Sequence, residues 1–174
     1  MIEFRQSNPD DAARLSQCVD VVARERRYLA VICGFTEDET RTFIQNLVDK
    51  GGVQLLALDA AAVVGWCDVS PMRFEGMRHV GRLGMGLLPA YRGQGLGKRL
   101  LRETVDRAFG TGLRRIELDV FASNQNALRL YEQAGFVTEG RKRQARILDG
   151  CEEDIVIMGL LRDEWLYNRV GNSS

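Results

Sequence analysis

The chain has 174 residues, 45% of them hydrophobic and 28% charged, with 24 Lys plus Arg balanced by 24 Asp plus Glu. That length supports one domain with a real core, the even charge argues against a general nucleic-acid binder, and no apolar run reaches the roughly 20 residues of a membrane span. Cys18, Cys33, Cys67 and Cys151 are dispersed, and Met1-Ile2-Glu3-Phe4-Arg5 lacks a basic-then-apolar leader pattern, which points to reduced thiols in a cytoplasmic protein with no metal site.

Ile2 to Arg5 reads as a short strand. Asn8 then caps a helix, with Pro9 at its first position, Asp10 and Asp11 facing the dipole, and Ala12, Leu15, Val19, Val22 and Ala23 at helical spacing. Thr36-Glu37-Asp38-Glu39 is a capping box that opens a second helix, which Gly51-Gly52 ends. Val53 to Leu58 and Ala62 to Val69 are strands joined by a tight turn near Asp59-Ala60-Ala61. His79 to Leu88 is a third strand, stopped by Pro89.

A glycine-rich loop, Arg92 to Lys98, leads into the clearest helix of the chain. Leu96, Leu100, Leu101, Thr104, Val105 and Ala108 form one face, and Lys98, Arg99, Arg102, Glu103, Asp106 and Arg107 the other. Arg115 to Phe121 alternates as a strand. Ser123 or Asn124 caps a short helix carrying Ala127, Leu130, Tyr131 and Ala134; Gly135 ends it and Phe136-Val137 starts a strand. Arg141 to Leu148 and Glu152 to Leu160 form a hairpin turning at Asp149-Gly150, and 168–174 reads as a frayed polar tail. The sum is a single α/β domain over 1–174, with helices around one central mixed sheet.

Three alternate glycines in Arg92-Gly93-Gln94-Gly95-Leu96-Gly97-Lys98 let the backbone approach a ligand and aim N–H groups at it. The helix that follows adds its positive end, so the natural ligand is a phosphate or pyrophosphate. A Walker A loop needs G-x-x-x-x-G-K-[ST]; here Arg92 stands at the first glycine and Arg99 at the hydroxyl that would hold magnesium. A dinucleotide fingerprint needs G-x-G-x-x-G; counted from Gly93, Gly95 or Gly84, the third glycine falls on Lys98, Leu100 or Pro89. A plain strand-to-helix turn needs one glycine, not three. What remains is [QR]-x-x-G-x-[GA].

That pattern, preceded by Met85-Gly86-Leu87-Leu88-Pro89-Ala90-Tyr91-Arg92-Gly93 and followed by an N-x-x-A-x-x-x-Y-x-x-x-G-F segment from Asn124 to Phe136, resembles the GNAT acetyltransferase superfamily. The likeness is tight from about Gly84 to Phe136, looser over the last hairpin and uninformative over the first 50 residues. It implies a GNAT-like acyl-CoA N-acyltransferase fold whose mostly antiparallel sheet is splayed at a bulge, for which Gly84 and Gly86 are suited. It also implies metal-free transfer of acetyl from acetyl-coenzyme A (acetyl-CoA) to a primary amine, by direct attack through a tetrahedral intermediate.

Under that resemblance, Arg92, Gly93, Gln94, Gly95, Leu96, Gly97 and Lys98 hold the pyrophosphate, chiefly by backbone N–H. The Lys98 and Arg99 side chains either pair with it or are solvated. Met85 and Leu87 offer backbone groups to the pantetheine arm as an added strand would, and the N–H of Leu87 or Leu88 meets the thioester oxygen as it becomes an oxyanion. Tyr131 takes the place of the acid that protonates the leaving thiolate, whose ordinary pKa is ~8.5; its shared face with Ala127 and Ala134 also suits a core residue. Asn124 either caps its helix alone or also bonds the cofactor arm.

For the amine's proton, the candidates are Glu75, His79, Asp68, Glu117 and Asp119. Cys67 and Cys151 show no histidine partner for carrying an acyl group. The acceptor pocket is expected from the first two helices, the Trp66 to Arg78 region and the last hairpin, with Trp66 and Phe74 lining it or in the core. The expected acceptor is a small-molecule amine such as an amino acid or polyamine. A protein N-terminus or lysine is the alternative, and a non-catalytic acetyl-CoA-binding protein a third reading. No nucleic-acid or membrane partner is expected; analogy with paired final strands suggests a homodimer.

Overall fold

The computed structural model describes the backbone of residues 1–171 and the side chains of residues 1–168. Seven strands, β1 (Ile2–Gln6), β2 (Val53–Asp59), β3 (Ala62–Pro71), β4 (Val80–Leu87), β5 (Arg115–Phe121), β6 (Val137–Leu148) and β7 (Cys151–Leu161), form one sheet in the order β1-β2-β3-β4-β5-β7-β6. Every pairing is antiparallel except β4 with β5, which is parallel. A parallel neighbour needs a crossover, and the glycine loop with α3 (Leu96–Gly110) supplies it.

The helices cover both faces. On one, α3 brings Leu100, Leu101, Val105 and Ala108 against Leu55, Cys67, Val69, Ile116 and Met158, joined by Tyr131 of α4 (Gln125–Gln133). On the other, α1 (Ala12–Arg24) and α2 (Glu37–Asp49) bring Leu15, Val22 and Ile44 against Leu56, Leu58 and Trp66. Burying each large apolar side chain contributes about 1.5–3 kcal/mol, far more than the tenths separating helix propensities. The sheet therefore holds the helices. Double coverage also explains β2, where every residue from Val53 to Leu58 is buried.

Local signals set the helix starts. Thr36 Oγ1 accepts from Glu39 N–H (3.2 Å) while Glu39 Oε2 accepts from Thr36 N–H (2.8 Å), the expected capping box. Asn124, not Ser123, caps α4, its Oδ1 accepting from Ala127 N–H (3.2 Å). The Ser123 hydroxyl donates instead to Glu153 on β7.

Two expectations are corrected. The sheet splays at β4, but not at a bulge: the β3–β4 register runs unbroken from Gly65↔Leu87 to Pro71↔Gly81. Gly86 is glycine because a Cβ there would stand 2.3 Å from the Trp66 ring, so the indole packs flat over the strand. A fifth helix, α5 (Arg162–Gly171), follows β7 and includes the first residues of the segment read as a frayed tail; residues 172–174 lie outside the described residues. Trp165 anchors it, buried, with Nε1 donating to Asp106 Oδ1 (2.7 Å). Among the described residues no helix is long and apolar enough to cross a membrane.

Asp11 is the most heavily engaged buried carboxylate. Its side chain is fully enclosed, bonded by Arg5 through both oxygens (2.7 and 2.6 Å), by Arg14 (2.6 Å) and by Asn8 N–H (2.9 Å). Burial alone would raise its pKa, but the Arg5 and Asn8 bonds and the two guanidinium charges outweigh it, and the carboxyl is held below its ordinary value of 3.8. Such a group stabilises the fold above that ordinary value and loses its contribution as pH falls through the lowered one. Asp11→Asn is expected to cost about 1–3 kcal/mol at pH 7 and to flatten the loss of stability below pH 3.8; urea melts across pH check both, and an unchanged acid limb would refute the assignment.

Candidate active site

β4 and β5 pair only over Val80–Arg82 and Arg115–Glu117 and then diverge, each staying with its antiparallel partner. The phasing of those partnerships decides what faces the gap. Leu88 N–H donates to the Val64 carbonyl (2.9 Å) and Met72 N–H to the Val80 carbonyl (2.9 Å). Even-numbered residues of β4 therefore bond to β3, and Leu83, Met85 and Leu87 turn their peptide groups toward the gap. On the far side, Ala122 N–H donates to the Asp154 carbonyl (3.0 Å) and Arg162 N–H to the Arg114 carbonyl (3.0 Å). By the same alternation Asp119 and Phe121 face theirs toward β4. Two rows of peptide groups thus look at each other across a wedge with no strand between them. Leu88, engaged by Val64, has no N–H to offer there.

The wedge is part of a cavity of about 750 Å³ that continues over the glycine loop and α4. Gly93 and Gly95 have φ of +73° and +76°, a left-handed conformation, and the space where their Cβ atoms would stand is open. Glycine is required there by the backbone, not by crowding. Gly95 caps α3 with no side chain on the helix end, and the first bond of the ladder is Arg99 N–H to the Gly95 carbonyl (3.2 Å). The N–H groups of Leu96, Gly97 and Lys98 therefore have no partner within the helix and carry its positive end toward the cavity.

The side chains of the loop diverge. Lys98 is exposed and lines the cavity, whereas Arg99 lies outside it over the Phe4 ring (5.1 Å). Leu96 is buried in the core and Gln94 donates to the Ala90 carbonyl (2.8 Å). Arg92 is committed elsewhere. Its guanidinium forks onto Glu25 (2.8 and 2.5 Å), donates to the Leu87 carbonyl (2.9 and 2.7 Å) and stacks on Tyr28 (4.7 Å). It fastens the end of β4 to the end of α1, and leaves Leu87 with its N–H as the group facing the gap.

Asn124 and Tyr131 line the α4 side. Tyr131 is 7% exposed, edge-on to Phe136 (5.7 Å), and its hydroxyl has no hydrogen-bond partner among the described residues. It belongs to the core by area and to the cavity by its tip. Burial, with nearby Cys67 as a second cause, holds its pKa above the ordinary 10.0. Cys67 itself is fully buried and pushed up by burial, and Cys151 is exposed on the hairpin.

The remaining candidates separate in space. His79 lies outside the cavity, beside Arg114 and Asp163, and Glu75 is exposed and also outside it. Asp119 lines the cavity but is held by Arg82 (2.7 Å) and Lys142 (2.9 Å), and Glu117 by Arg115 (3.2 Å). Trp66 is core and Phe74 is 72% exposed, so neither lines the site. The lining instead includes Val22, Tyr28, Leu29 and Ala30, from α1 and the segment after it, and Ile155 of β7.

That segment is strapped to the last hairpin. Arg26 forks onto Asp149 at the hairpin turn (2.9 and 2.7 Å), and Arg146 donates to the Arg26 carbonyl (2.9 Å) while lying over Phe121 (4.3 Å). Sequence reasoning missed Glu25, Tyr28 and this strap. The run Arg24-Glu25-Arg26-Arg27-Tyr28 signals only a helix end, and its partners lie 67 and more than 100 residues away.

Against known proteins, the family described as "Acetyltransferase (GNAT) family" matches residues 17–136. The L-amino acid N-acyltransferase MnaT of Escherichia coli is 29% identical over 111 residues, 63% of this chain and 64% of that protein. The match spans about half the length of several other curated relatives. A GNAT-family acetyltransferase structure from Streptococcus pneumoniae superposes with a TM-score of 0.86 at 29% identity, over 92% of this chain and 99% of that one. The structure of yncA from Salmonella typhimurium, solved with its cofactor acetyl-CoA, gives 0.86 at 20% identity over 92% and 93%.

The Arg92 clamp makes a test of its own. Arg92→Lys keeps the charge but loses the fork onto Glu25 and the Leu87 carbonyl. We expect a loss of about 1–3 kcal/mol, seen as a Tm lower by about 2–10 °C, with affinity for coenzyme A changed less than about threefold. A stable variant with binding abolished would make Arg92 a phosphate ligand instead.

Proposed function

This chain belongs to the acetyltransferase (GNAT) family, and on that premise we propose that it transfers the acetyl group of acetyl-CoA to the primary amine of a small molecule such as an amino acid. The observation that carries the proposal is the continuity of two features: a strand edge left unpaired at Met85 and Leu87 runs directly into the uncapped N-terminus of α3. One binds an extended, amide-bearing arm and the other a pyrophosphate, and acetyl-CoA has both in that order. The cavity is also large enough for most of such a ligand.

In this reading the N–H groups of Gly93 to Lys98 hold the pyrophosphate, with the Lys98 side chain beside them. Met85 takes the arm as a sheet takes an added strand, and Leu87, whose carbonyl Arg92 occupies, meets its thioester end with the N–H alone. The thioester supplies an activated acetyl group. The Leu87 N–H donates to its carbonyl oxygen as negative charge gathers there, a contribution strengthened by exclusion of water. Tyr131 holds its proton across the physiological range and gives it to the departing sulfur. The same apolar surroundings that keep the phenol protonated also make a thiolate of ordinary pKa ~8.5 more basic, so the departing sulfur is a better proton acceptor there than in water. Asn124 orients the start of α4, which carries Tyr131.

A small acceptor is favoured because Tyr28, Leu29 and Ala30 add a wall to the cavity and the preceding Arg26 is tied to the hairpin turn at Asp149, whereas a peptide needs an open groove. MnaT, by its name, acts on L-amino acids. The reading treats the chain as one catalytic domain working without a metal in the cytoplasm, where the exposed thiols Cys33 and Cys151 stay reduced.

Two variants separate binding from chemistry. Tyr131→Phe is expected to lower kcat by about 10²-fold or more with the dissociation constant for acetyl-CoA little changed; thiol release and calorimetry read the two, and an unaltered kcat sinks the acid role. Gly95→Asp sets a carboxylate where the pyrophosphate would lie, at a positive φ that strains any side chain but that aspartate adopts at less cost than most. Binding of coenzyme A should vanish while the Tm holds within a few degrees; surviving affinity would move the phosphate site off this loop.

A further inference from the structure

The acceptor amine arrives protonated at neutral pH and must lose that proton before it attacks. Resting on the proposed acetyl transfer, we infer that the Asp68 carboxylate, standing over Gly84 on the α1–α2 face of the sheet, takes that proton from the acceptor.

Facing positions on antiparallel strands share a face. Gln54, Asp68 and Gly84 are in register across β2, β3 and β4, and they alternate with the strand positions that carry Leu55, Cys67 and Met85 to the α3 face. Asp68 therefore lies on the same face as Trp66, Arg82 and Gly86, whereas Tyr131 belongs to the α3 face. The two proton-handling groups stand on opposite faces of the sheet, and the gap between β4 and β5 joins them. Phosphate loop and arm enter from the Tyr131 side, which leaves the acceptor the Asp68 side, under Tyr28 and Leu29.

Asp68 stands just behind the cavity wall, and Gly84, which lines the cavity, is the residue without a side chain that separates the two. Both carboxylate oxygens lie close to where a Cβ of residue 84 would stand, at 3.7 and 3.8 Å, and Gly84 lines the cavity. Any side chain there would stand between the carboxylate and the acceptor. Asp68 also differs from the acids on neighbouring elements in having no cation on it: Asp119, which lines the cavity, is bonded by Arg82 and Lys142, Glu117 by Arg115, and Glu25 by Arg92. A carboxylate already neutralised by a guanidinium is a poor proton acceptor.

The surroundings set its basicity. β2 contributes Gln54, β4 contributes Gly84 and the engaged Arg82, and its own strand contributes Cys67. α1 contributes Cys18, a thiol that burial pushes up to about 12 and that stays neutral. The charged side chains Arg24 and Arg41 of α1 and α2 pair with Asp20 and Glu37 on their own helices. Burial raises the Asp68 carboxyl to about 7, opposed by a hydrogen bond from Gln54. It is therefore ionised above neutrality and protonated below, the range in which a base for an amine is useful.

The protons balance. The ammonium gives one to Asp68; the N–C bond forms and the C–S bond breaks. Sulfur takes the Tyr131 proton, the surplus proton on nitrogen restores the phenol, and Asp68 releases its own to solvent, so one proton leaves per turnover.

The test is kcat/KM against pH for wild type, Asp68→Asn and Asp68→Glu, with acetyl-CoA and a panel of amino acids and polyamines. Wild type should rise through a limb near pH 7. Asp68→Asn should lose that limb and about 10²-fold or more in rate, keeping its Tm and its affinity for acetyl-CoA. Asp68→Glu should recover part of both. An Asn variant that retains rate and limb overturns the assignment and leaves the acetyltransferase reading intact. Wild type that binds acetyl-CoA but releases no thiol with any amine overturns both.

Discussion

The sheet lacks a strand where it most needs one. β5 must follow β7 and β4 must follow β3, and the two pairings carry them apart after three residues of contact. Unpaired peptide groups inside a fold are costly unless something meets them, so the gap has to be held open deliberately. At its closed end Arg82 reaches across to Asp119, which Lys142 of β6 also binds. At its open end Arg92 occupies the Leu87 carbonyl and ties β4 to α1. Between them the Trp66 ring fills the space that a side chain at Gly86 would take. The glycine loop, the start of α4 and the strap at Tyr28 all take their positions from this wedge.

The wedge also divides labour. A ligand lying in it presents one end to the α3 face and the other to the α1–α2 face, and the polar groups differ accordingly. The α3 face offers backbone N–H, a helix end and a phenol held protonated. The opposite face offers carboxylates and guanidinium groups, all of the named ones paired except Asp68. Under the proposed acetyl transfer, that separation would let Tyr131 and Asp68 serve one reaction centre from opposite faces of the sheet.

What was legible in the sequence was what depends on short spans. Thr36 and Asn124 cap their helices, and Asn8 caps the 3-10 turn Pro9–Asp11 that leads into α1, because a cap is settled within four residues. Gly93 and Gly95 stood out in sequence because positive φ leaves a mark on residue type. Arg92 shows the limit: it belongs to the loop by sequence and to α1 by contact, and its partner Glu25 lies 67 positions earlier. The glycines of β4 were read as a bulge, since sequence shows that a side chain is absent but not what fills its place; at Gly86 it is an indole from the neighbouring strand. α5 went unread because Trp165, its buried anchor among the described residues, depends on Asp106 of a distant helix.

The three-residue contact between β4 and β5 has a thermodynamic side. To its left lie β1 to β4 and to its right β5 to β7, so the two halves of the sheet are joined by this pairing, by α3 beneath and by the strap above. A ligand that pairs with both edges becomes part of that join, and its binding free energy is then cohesion of the fold. By mass action, at a hundred times its dissociation constant it adds about 2.7 kcal/mol to stability. Cellular supply of the ligand would thus govern how long the folded protein lasts as well as how fast it works.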